Sequence, residues 1–278
     1  MKLGVSRKQI SALHLAGVVE RVHADTYRMT AVAASSEQRL RAALLWAGNG
    51  SAAAGRSGGE LYGLEGVRAI TPEIVLPRSQ RKRTASVLVH GCDQWPALMV
   101  REWRGLRVTG VESTLTMLAL ALEDEAFEIA CEDARRRKLT SIPALRAYLA
   151  RFDSPARPGA AGLRRLLRQL DPVSPSRSTL EVKPRRLLVA NGFTDFVREF
   201  PLEWQGRTYW FDFVFQLRRT ILETNGRRWH DDPADYESDN EKWSVPARHG
   251  YRIVFATWEK VTRRPAALPC ELAAALAA

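Results

Sequence analysis

The chain has 278 residues, a formal net charge of +11, and 45% hydrophobic and 26% charged residues. This composition is typical of a globular protein and excludes wholesale disorder, and the longest apolar stretch, Leu115–Leu122, is far shorter than the ~18 residues of a membrane span. Three widely spaced cysteines without a C-x-x-C pair indicate a reducing compartment and no zinc site, and the start of the chain lacks a secretory signal. We therefore expect a cytoplasmic protein of two or three domains with no membrane partner.

The positive charge is unevenly distributed along the chain. Residues 1–176 carry 26 basic and 17 acidic residues, whereas residues 177–278 carry 16 and 14. A basic first part indicates a polyanionic partner, for which nucleic acid is the natural candidate. The alternative is that these charges form a solvated face.

The first segment predicts a helix followed by a hairpin. Ser6-Arg7-Lys8-Gln9 is a capping-box pattern, Gly17 ends the helix, and strands at Val18–Val22 and Thr26–Met29 flank a turn. A helix followed by a hairpin is the second half of a winged helix-turn-helix, so residues 1–32 are interpreted as a partial domain of this type. Five residues are predicted to contact DNA: Arg7, Lys8, Gln9, Arg21 and Arg28. Because two helices that usually come first are missing before Met1, a truncated or misassigned start is a further hypothesis.

Residues 33–172 predict a mixed α+β region. Ser36 is expected to cap a helix to Gly48. Gly55-Arg-Ser57-Gly-Gly59 matches the G-x-S-x-G nucleophile elbow, but residues 51–54 do not look like the strand that an elbow needs, so Ser57 and Glu60 are interpreted as a capping box. The remaining elements are three strands and four helices, at 73–76, 87–90, 106–109, 112–122, 124–138, 142–151 and 160–170. The main boundary is placed in the Pro/Ser-rich segment 171–176.

Residues 177–278 predict a small α/β sandwich. A helix begins near Ser178, aromatic strands at 196–200 and 209–215 flank a turn at Gln205-Gly206, and a further strand covers 220–224. A helix over 235–248, a strand over 251–256 and a final helix from Glu259 complete the domain.

Two carboxylates stand out in this region. Asp212 lies in an otherwise apolar strand, where an unpaired ionised carboxylate is costly to bury, and Glu223 ends the next strand. A tight hairpin would place them side by side as a site for Mg²⁺ or Mn²⁺, which would activate water for attack on a phosphodiester. His230 is positioned in the sequence to orient or deprotonate that water.

The order of these residues resembles a known family. Glu181, Asp212, Glu223-x-Asn225-Gly, His230, Asp239-x-x-Lys242 and Gly250-Tyr-Arg-Ile-Val follow one another as in relatives of the very-short-patch-repair endonucleases, within the PD-(D/E)xK restriction-endonuclease-like superfamily. The first part resembles the winged-helix region of abortive-infection antitoxins of type IV toxin–antitoxin systems. The matching segments are 6–10, 21–27, 61–64 and 105–109, and the segment 257–262 matches the end of the nuclease-like family.

The resemblance implies a role for each matching residue. Asp212 and Glu223 would hold the metal, Glu181 would be a third acidic residue, and Asn225 would occupy the third active-site position. His230 and Lys242 would be supporting polar groups in the same cleft, and a cognate toxin protein would be a partner.

The chain also departs from the family pattern. Related chains read Glu-x-Asp-Gly where this chain has Asn225, the superfamily lysine is absent there, and Pro184 lies inside the expected first helix. Two functions therefore remain open: a metal-dependent DNA endonuclease, and a non-catalytic DNA-binding antitoxin or regulator with a degenerate nuclease fold. Each site residue also has a structural reading, since Glu181 could pair with Ser178 in a capping box and Asn225-Gly226 is a favoured turn.

Overall fold

The computed structural model describes residues 5–80, 82–152, 158–170, 179–225 and 233–277, with the backbone alone at 179–180, 225 and 233–240. The chain divides into two compact units, Met1–Pro175 and Ser176–Ala278, and the division falls inside the segment 171–176. The predicted partial winged helix and the α+β region both belong to the first unit. The predicted mixed α/β class is confirmed. Among the described residues, no helix has the length and apolar character needed to cross a membrane.

The first unit begins with a capped helix and a hairpin, as the sequence predicts. Helix α1 covers Arg7–Leu15, and its N-terminus is closed by a capping box between Ser6 and Gln9. Strands β1 (Val19–His23) and β2 (Thr26–Met29) pair antiparallel. The α1 helix buries none of its side chains, so its exposed face is available to a partner.

A mixed sheet forms the centre of the first unit. After α2 (Ser36–Ala47), the elements of this region are β3 (Ala52–Ala53), α3 (Gly55–Tyr62), β4 (Glu73–Pro77), β5 (Leu88–Cys92), β6 (Arg101–Trp103) and β7 (Leu106–Val108). The strand order is β5-β4-β3-β7-β6, with two parallel pairs, β4–β5 and β3–β7. The cap of α2 is Ser35, one residue before the predicted Ser36, and the sequence analysis missed β3 and β6.

The interpretation of the Gly55–Gly59 motif needs correction. Residues 52–53 do form a strand, and the N-cap of α3 is Ala54 without a side-chain bond, so the predicted capping box of Ser57 is wrong. Ser57 lies inside the helix and is 2% exposed, and its Oγ accepts a hydrogen bond from the Glu73 amide at 2.8 Å. A buried hydroxyl used in this way is not an exposed nucleophile.

Glu73 joins the start of α3 to the sheet. Its carboxylate accepts a hydrogen bond from the Arg56 amide at 2.6 Å, and its other oxygen lies 2.6 Å from Nε2 of His90. Gly55 has φ +47, and a Cβ there would overlap the Glu73 carboxylate. The glycine therefore serves two needs at once, the left-handed backbone and the close approach of a buried carboxylate.

Helices complete the core of the first unit. They are α4 (Val111–Ala121), α5 (Asp124–Arg136), α6 (Ile142–Phe152) and α7 (Ala160–Leu167). The basic end of α5 has structural partners, since Arg135 pairs with buried Glu132 and Arg136 pairs with Asp133. These cations stabilise the helix and its neighbours within the unit.

The second unit contains a four-stranded sheet with helices on both faces. Its elements are α8 (Thr179–Ala190), β8 (Val197–Trp204), β9 (Arg207–Phe215), β10 (Thr220–Asn225), α9 (Pro233–Arg248), β11 (Arg252–Thr257), α10 (Trp258–Thr262) and α11 (Ala267–Ala277). The strand order is β11-β10-β9-β8, in which β10–β11 is parallel and the other two pairs are antiparallel.

Two apolar clusters separate the faces of this sheet. On one face Phe213 and Leu222 pack with Leu188 of α8 and with α11. On the other face Val214 and Ile221 pack with Val245 of α9. Because side chains alternate along a strand, Glu223 belongs to the same face as Ile221, beneath α9.

Two details of the second unit differ from prediction. The final helix is two helices, α10 and α11, and α8 continues through Pro184. The turn at Gln205-Gly206 is confirmed, with φ values of +49 and +76 that match a type I′ hairpin.

Candidate metal centre

The candidate centre lies where the pairing of β9 and β10 ends. The register of these strands runs to the pair Phe213–Leu222, so the next residues, Asp212 and Glu223, stand opposite each other. The tight connection at Gln216–Arg219 sets this register. The predicted juxtaposition of the two carboxylates is therefore present in the second unit.

Beyond the pair Phe213–Leu222, hydrogen bonds from backbone amides to side-chain carboxylates take the place of the backbone hydrogen bonds between β9 and β10. The Asp212 amide donates to Oε2 of Glu223 at 3.2 Å, and the Thr224 amide donates to Oδ2 of Asp212 at 2.8 Å. The Thr224 hydroxyl donates to the same Oδ2. Each carboxylate thus accepts a hydrogen bond from the opposite strand, which fixes both carboxyl groups where the ladder between β9 and β10 ends.

The opposite neighbour of Asp212 is also irregular. In β8, Glu199 faces Asp212 but is absent from the ladder between the pairs Arg198–Phe213 and Phe200–Phe211. Glu199 has φ +48, an uncommon conformation for a residue with a side chain. Asp212 therefore lies outside the regular strand ladder on both sides.

Lys242 of α9 is the cation of the site. Its ammonium group forms an ion pair with Oε1 of Glu223 and lies 5.2 Å from the centre of the Phe211 ring. Among the described residues, no donor contacts Oδ1 of Asp212. The arrangement combines two carboxylates, one ammonium group and one open carboxylate oxygen.

The electrostatics of Glu223 reflect this crowding of charge. Burial raises the pKa of Glu223 from 4.5 to about 7, the charge of Asp212 acts in the same direction, and Lys242 opposes both. With an exposed fraction of 5%, Glu223 has little water to stabilise its negative charge. The single ammonium group does not fully compensate the two carboxylates.

The structure shows no contact between the pair and the other described acidic site residue, Glu181, and the remaining predicted residues of this centre other than Lys242 lie wholly or partly outside the described residues. Glu181 of α8 is buried and lies 3.8 Å from Arg198, and no group of three His, Cys, Asp or Glu side chains among the described residues could hold a metal ion. Asn225 is the last residue of β10, opposite Thr257 of β11, but its side chain is outside the described residues. His230 and the predicted turn at 226 also lie outside them, as does the side chain of Asp239.

The predicted DNA contacts of the first unit differ in availability. The side chains of Arg7 and Lys8 are exposed on α1 and make no hydrogen bond or ion pair with another described residue, whereas Gln9 is used in the capping box. Arg21 donates to the carbonyl of His23, and Arg28 forms an ion pair with Glu20. Arg7 and Lys8 are thus the two predicted contacts that the described part of the chain leaves available.

Thr224 and Phe211 are parts of the site that the sequence analysis missed. Thr224 contributes two donors to Asp212, and Phe211 contacts the Lys242 ammonium group. The strand register places the backbone of Thr224 beside the carboxylates, so its amide bond to Asp212 could have been predicted. The alternation of side chains along a strand assigns the Thr224 hydroxyl to the opposite face, so its bond to Asp212 could not.

Comparison with known proteins gives little further information. No protein-family model matches the chain, and no curated protein matches it. The chain is similar to the crystal structure of the RV2827C protein from Mycobacterium tuberculosis, at 20% sequence identity and a TM-score of 0.42, over 64% of this chain and 69% of that one. A similarity at this level supports no statement about function.

Proposed function

We propose that the second unit is a phosphodiesterase that requires a divalent cation and acts on DNA. The observation that carries this proposal is the position of Asp212 opposite Glu223 where the pairing of β9 and β10 ends, with the Asp212 amide bonded to Glu223 and Lys242 beside Glu223. A divalent cation held by such carboxylates is suited to phosphodiester hydrolysis. The resemblance in residue order to restriction-endonuclease-like proteins supports the same reaction.

The donor set fits Mg²⁺ or Mn²⁺. These hard cations take oxygen ligands, and Mg²⁺ is commonly bound by one or two carboxylates together with water and phosphate oxygens. Asp212 offers the open Oδ1, and Glu223 is the second carboxylate, whose pKa is raised first by burial and then by the charge of Asp212. A bound cation would supply a polarised water molecule and neutralise charge on the phosphodiester.

The protein side chains would then have distinct roles. Asp212 and Glu223 hold the cation, and Thr224 fixes the orientation of the Asp212 carboxylate through its two donors. Lys242 forms an ion pair with Glu223, and in this proposal its ammonium group would also contact a phosphate oxygen of the substrate. Arg7 and Lys8 of α1 contact the phosphate backbone of the bound DNA.

The alternative function is that of a non-catalytic DNA-binding regulator of antitoxin type. The ion pair between Lys242 and Glu223 favours it, because an ammonium group can take the place of a metal ion beside a buried carboxylate. Asn225, which supplies no charge where related chains have an acidic residue, points in the same direction.

Cleavage of plasmid DNA in Mg²⁺ and in Mn²⁺ tests the proposal. The wild type should nick DNA only with a divalent cation, and Asp212→Asn and Glu223→Gln should each abolish nicking. Glu271→Gln is the matched control, because it removes an exposed carboxylate that pairs with Lys260 in the same unit. Binding without cleavage that neither site variant alters would overturn the phosphodiesterase and support the regulator.

A further inference from the structure

A cleft between α6 and α7 of the first unit is lined by three arginines. They are Arg146 of α6, Arg164 of α7 and Arg168, the C-cap of α7, and the apolar side chains of Leu149 and Leu167 also line the cleft. We call the space that these three arginines line the arginine cleft. It belongs to neither the hairpin nor the carboxylate pair described above.

Helical spacing explains how the cleft forms. Leu145 and Leu149 of α6 are buried in the core, which leaves Arg146 and Ala150 on the adjoining face one turn apart. Ala150 is short and leaves room between the helices. On α7, Arg164 and Arg168 are also one turn apart, while Leu163 and Leu167 are buried.

Two of these arginines differ from most others in the first unit. The side chains of Arg146 and Arg168 are exposed and make no hydrogen bond or ion pair with any other described residue. Other arginines of the first unit have carboxylate partners: Arg28, Arg41, Arg68, Arg78, Arg135, Arg136, Arg137 and Arg165. The cleft therefore differs from a surface on which each arginine is paired with a carboxylate.

The helix dipole explains the positions of only two of the three arginines of the cleft. Arg164 and Arg168 lie at the end of α7, where positive charge complements the helix dipole. Arg146 lies in the middle of α6, where the dipole offers no such benefit. Like charges one turn apart also destabilise a helix slightly, and an anion placed between them removes that repulsion.

We infer that the arginine cleft binds the phosphate backbone of duplex DNA. Guanidinium groups bind phosphate oxygens in a bidentate manner, and the side chains of Arg146 and Arg168 line the same cleft. The excess of basic residues before position 177 favours a polyanion over an acidic peptide with isolated charges. The contact is to the backbone, so it is independent of sequence.

The salt dependence of DNA binding tests this inference. Binding of a fluorescent duplex to the full chain is measured in EDTA at several salt concentrations, so that cleavage plays no part. Each phosphate contact contributes about 0.9 to the slope of log K against log salt, so Arg146→Gln with Arg168→Gln should lower the slope by about 2. The loss of affinity should be the same for two duplexes of unrelated sequence.

Two control proteins make the result specific. Arg41→Gln with Arg68→Gln removes the same total charge from exposed arginines that have carboxylate partners, and it should leave the slope unchanged. Arg146→Lys with Arg168→Lys keeps the charge and should retain the slope. An unchanged slope in the glutamine variant, or an equal decrease in the Arg41/Arg68 control, would overturn the inference. Because the assay excludes metal, it can succeed or fail independently of the proposed phosphodiesterase.

Discussion

Glu223 shows how burial and a neighbouring charge combine at one residue. Its pKa rises to about 7 in the folded chain because the side chain is buried and Asp212 is adjacent, and the unfolded value is 4.5. Between these values the unfolded chain has lost its proton while the folded chain keeps it. The unfolded state therefore binds fewer protons, and Glu223 lowers stability as pH rises from 4.5 to about 7.

A glutamine at this position should remove that pH dependence. Relative to wild type, Glu223→Gln should gain up to about 3 kcal/mol of unfolding free energy between pH 4.5 and 7, since one pKa unit corresponds to about 1.4 kcal/mol. The gain is measured by urea unfolding in EDTA across this range. The plot of unfolding free energy against pH for Glu271→Gln, which changes an exposed ion pair, should be parallel to that of wild type. A parallel plot for Glu223→Gln as well would contradict the raised pKa of Glu223.

Thr224 offers a second residue-scale prediction, which depends on the proposed metal site. Thr224→Val removes the hydroxyl donor to Asp212 but keeps the amide donor and the shape of the side chain. Loss of such a supporting hydrogen bond typically weakens metal binding 10- to 100-fold, so we expect about a tenfold higher Kd for Mn²⁺. The measurement is titration calorimetry with Mn²⁺.

The matched control for Thr224 restores the hydroxyl. Thr224→Ser should bind Mn²⁺ nearly as tightly as wild type, because it keeps both donors. Equal weakening in the valine and serine variants would show that loss of the hydroxyl does not by itself explain the weaker binding, which would contradict the prediction.

At the scale of elements, local patterns predicted most helices and strands but not the contacts that join them. The capping box of α1, the hairpin turn at 205–206 and the aromatic strand β9 follow from short-range residue preferences. Strand β3 has two alanines and β6 three residues, too short for a periodic pattern, and their pairing within the sheet forms them. Ser57 was misassigned for the same reason, since its partner Glu73 lies on another element.

The candidate site was predictable to the level of strand register. Asp212 and Glu223 could be paired from the position of the turn between their strands. Lys242 was named from the order of motifs, but its ion pair with Glu223 depends on how α9 packs on the sheet. The hydrogen bond of the Thr224 hydroxyl depends on a local departure from strand geometry, which no sequence pattern specifies.

Helix α3 provides a prediction at this scale. Gly55→Ala forces a Cβ into the Glu73 carboxylate and also strains a backbone with φ +47, so it should break the bonds of Glu73 to Arg56 and His90. Backbone strain of about 1–3 kcal/mol and the loss of buried hydrogen bonds predict a destabilisation of more than about 2 kcal/mol. Thermal unfolding measures this change.

Gly66→Ala separates the two causes. Gly66 has φ +75, but no atom lies within 4 Å of the position that a Cβ would take, so alanine there adds strain without a clash. We expect a cost of about 1 kcal/mol for this variant. If the two alanine variants were equally destabilised, the contact between α3 and Glu73 would have no special role in stability.

At the scale of the whole molecule, each unit has its own core. The largest cluster of the first unit surrounds residues such as Ile74 and Leu115, and those of the second surround Phe213 and Val214. We expect a chain of residues 176–278 to unfold cooperatively on heating, with an enthalpy of about 60–80 kcal/mol as for other domains of ~100 residues. Calorimetry measures this, and a featureless heat-capacity trace would show that the second unit needs the first.

The uneven distribution of charge gives a second prediction that can be tested on the separate units. Residues 1–176 carry 26 basic and 17 acidic residues, against 16 and 14 in the remainder, so the first unit should bind duplex DNA with the steeper salt dependence. Anisotropy titrations of the separate units compare the two slopes. A steeper slope for the second unit would place the main DNA contacts beside the carboxylates.

The bond from the Thr224 amide to Asp212 makes one backbone proton sensitive to the chemistry of the site. Most strand amides are held by a backbone carbonyl, whereas this one is held by a carboxylate of the proposed metal site. If the site binds a cation as proposed, the NMR frequency and the deuterium exchange rate of this amide should change on binding. A single labelled threonine can thus act as a built-in spectroscopic sensor, without any probe attached to the protein.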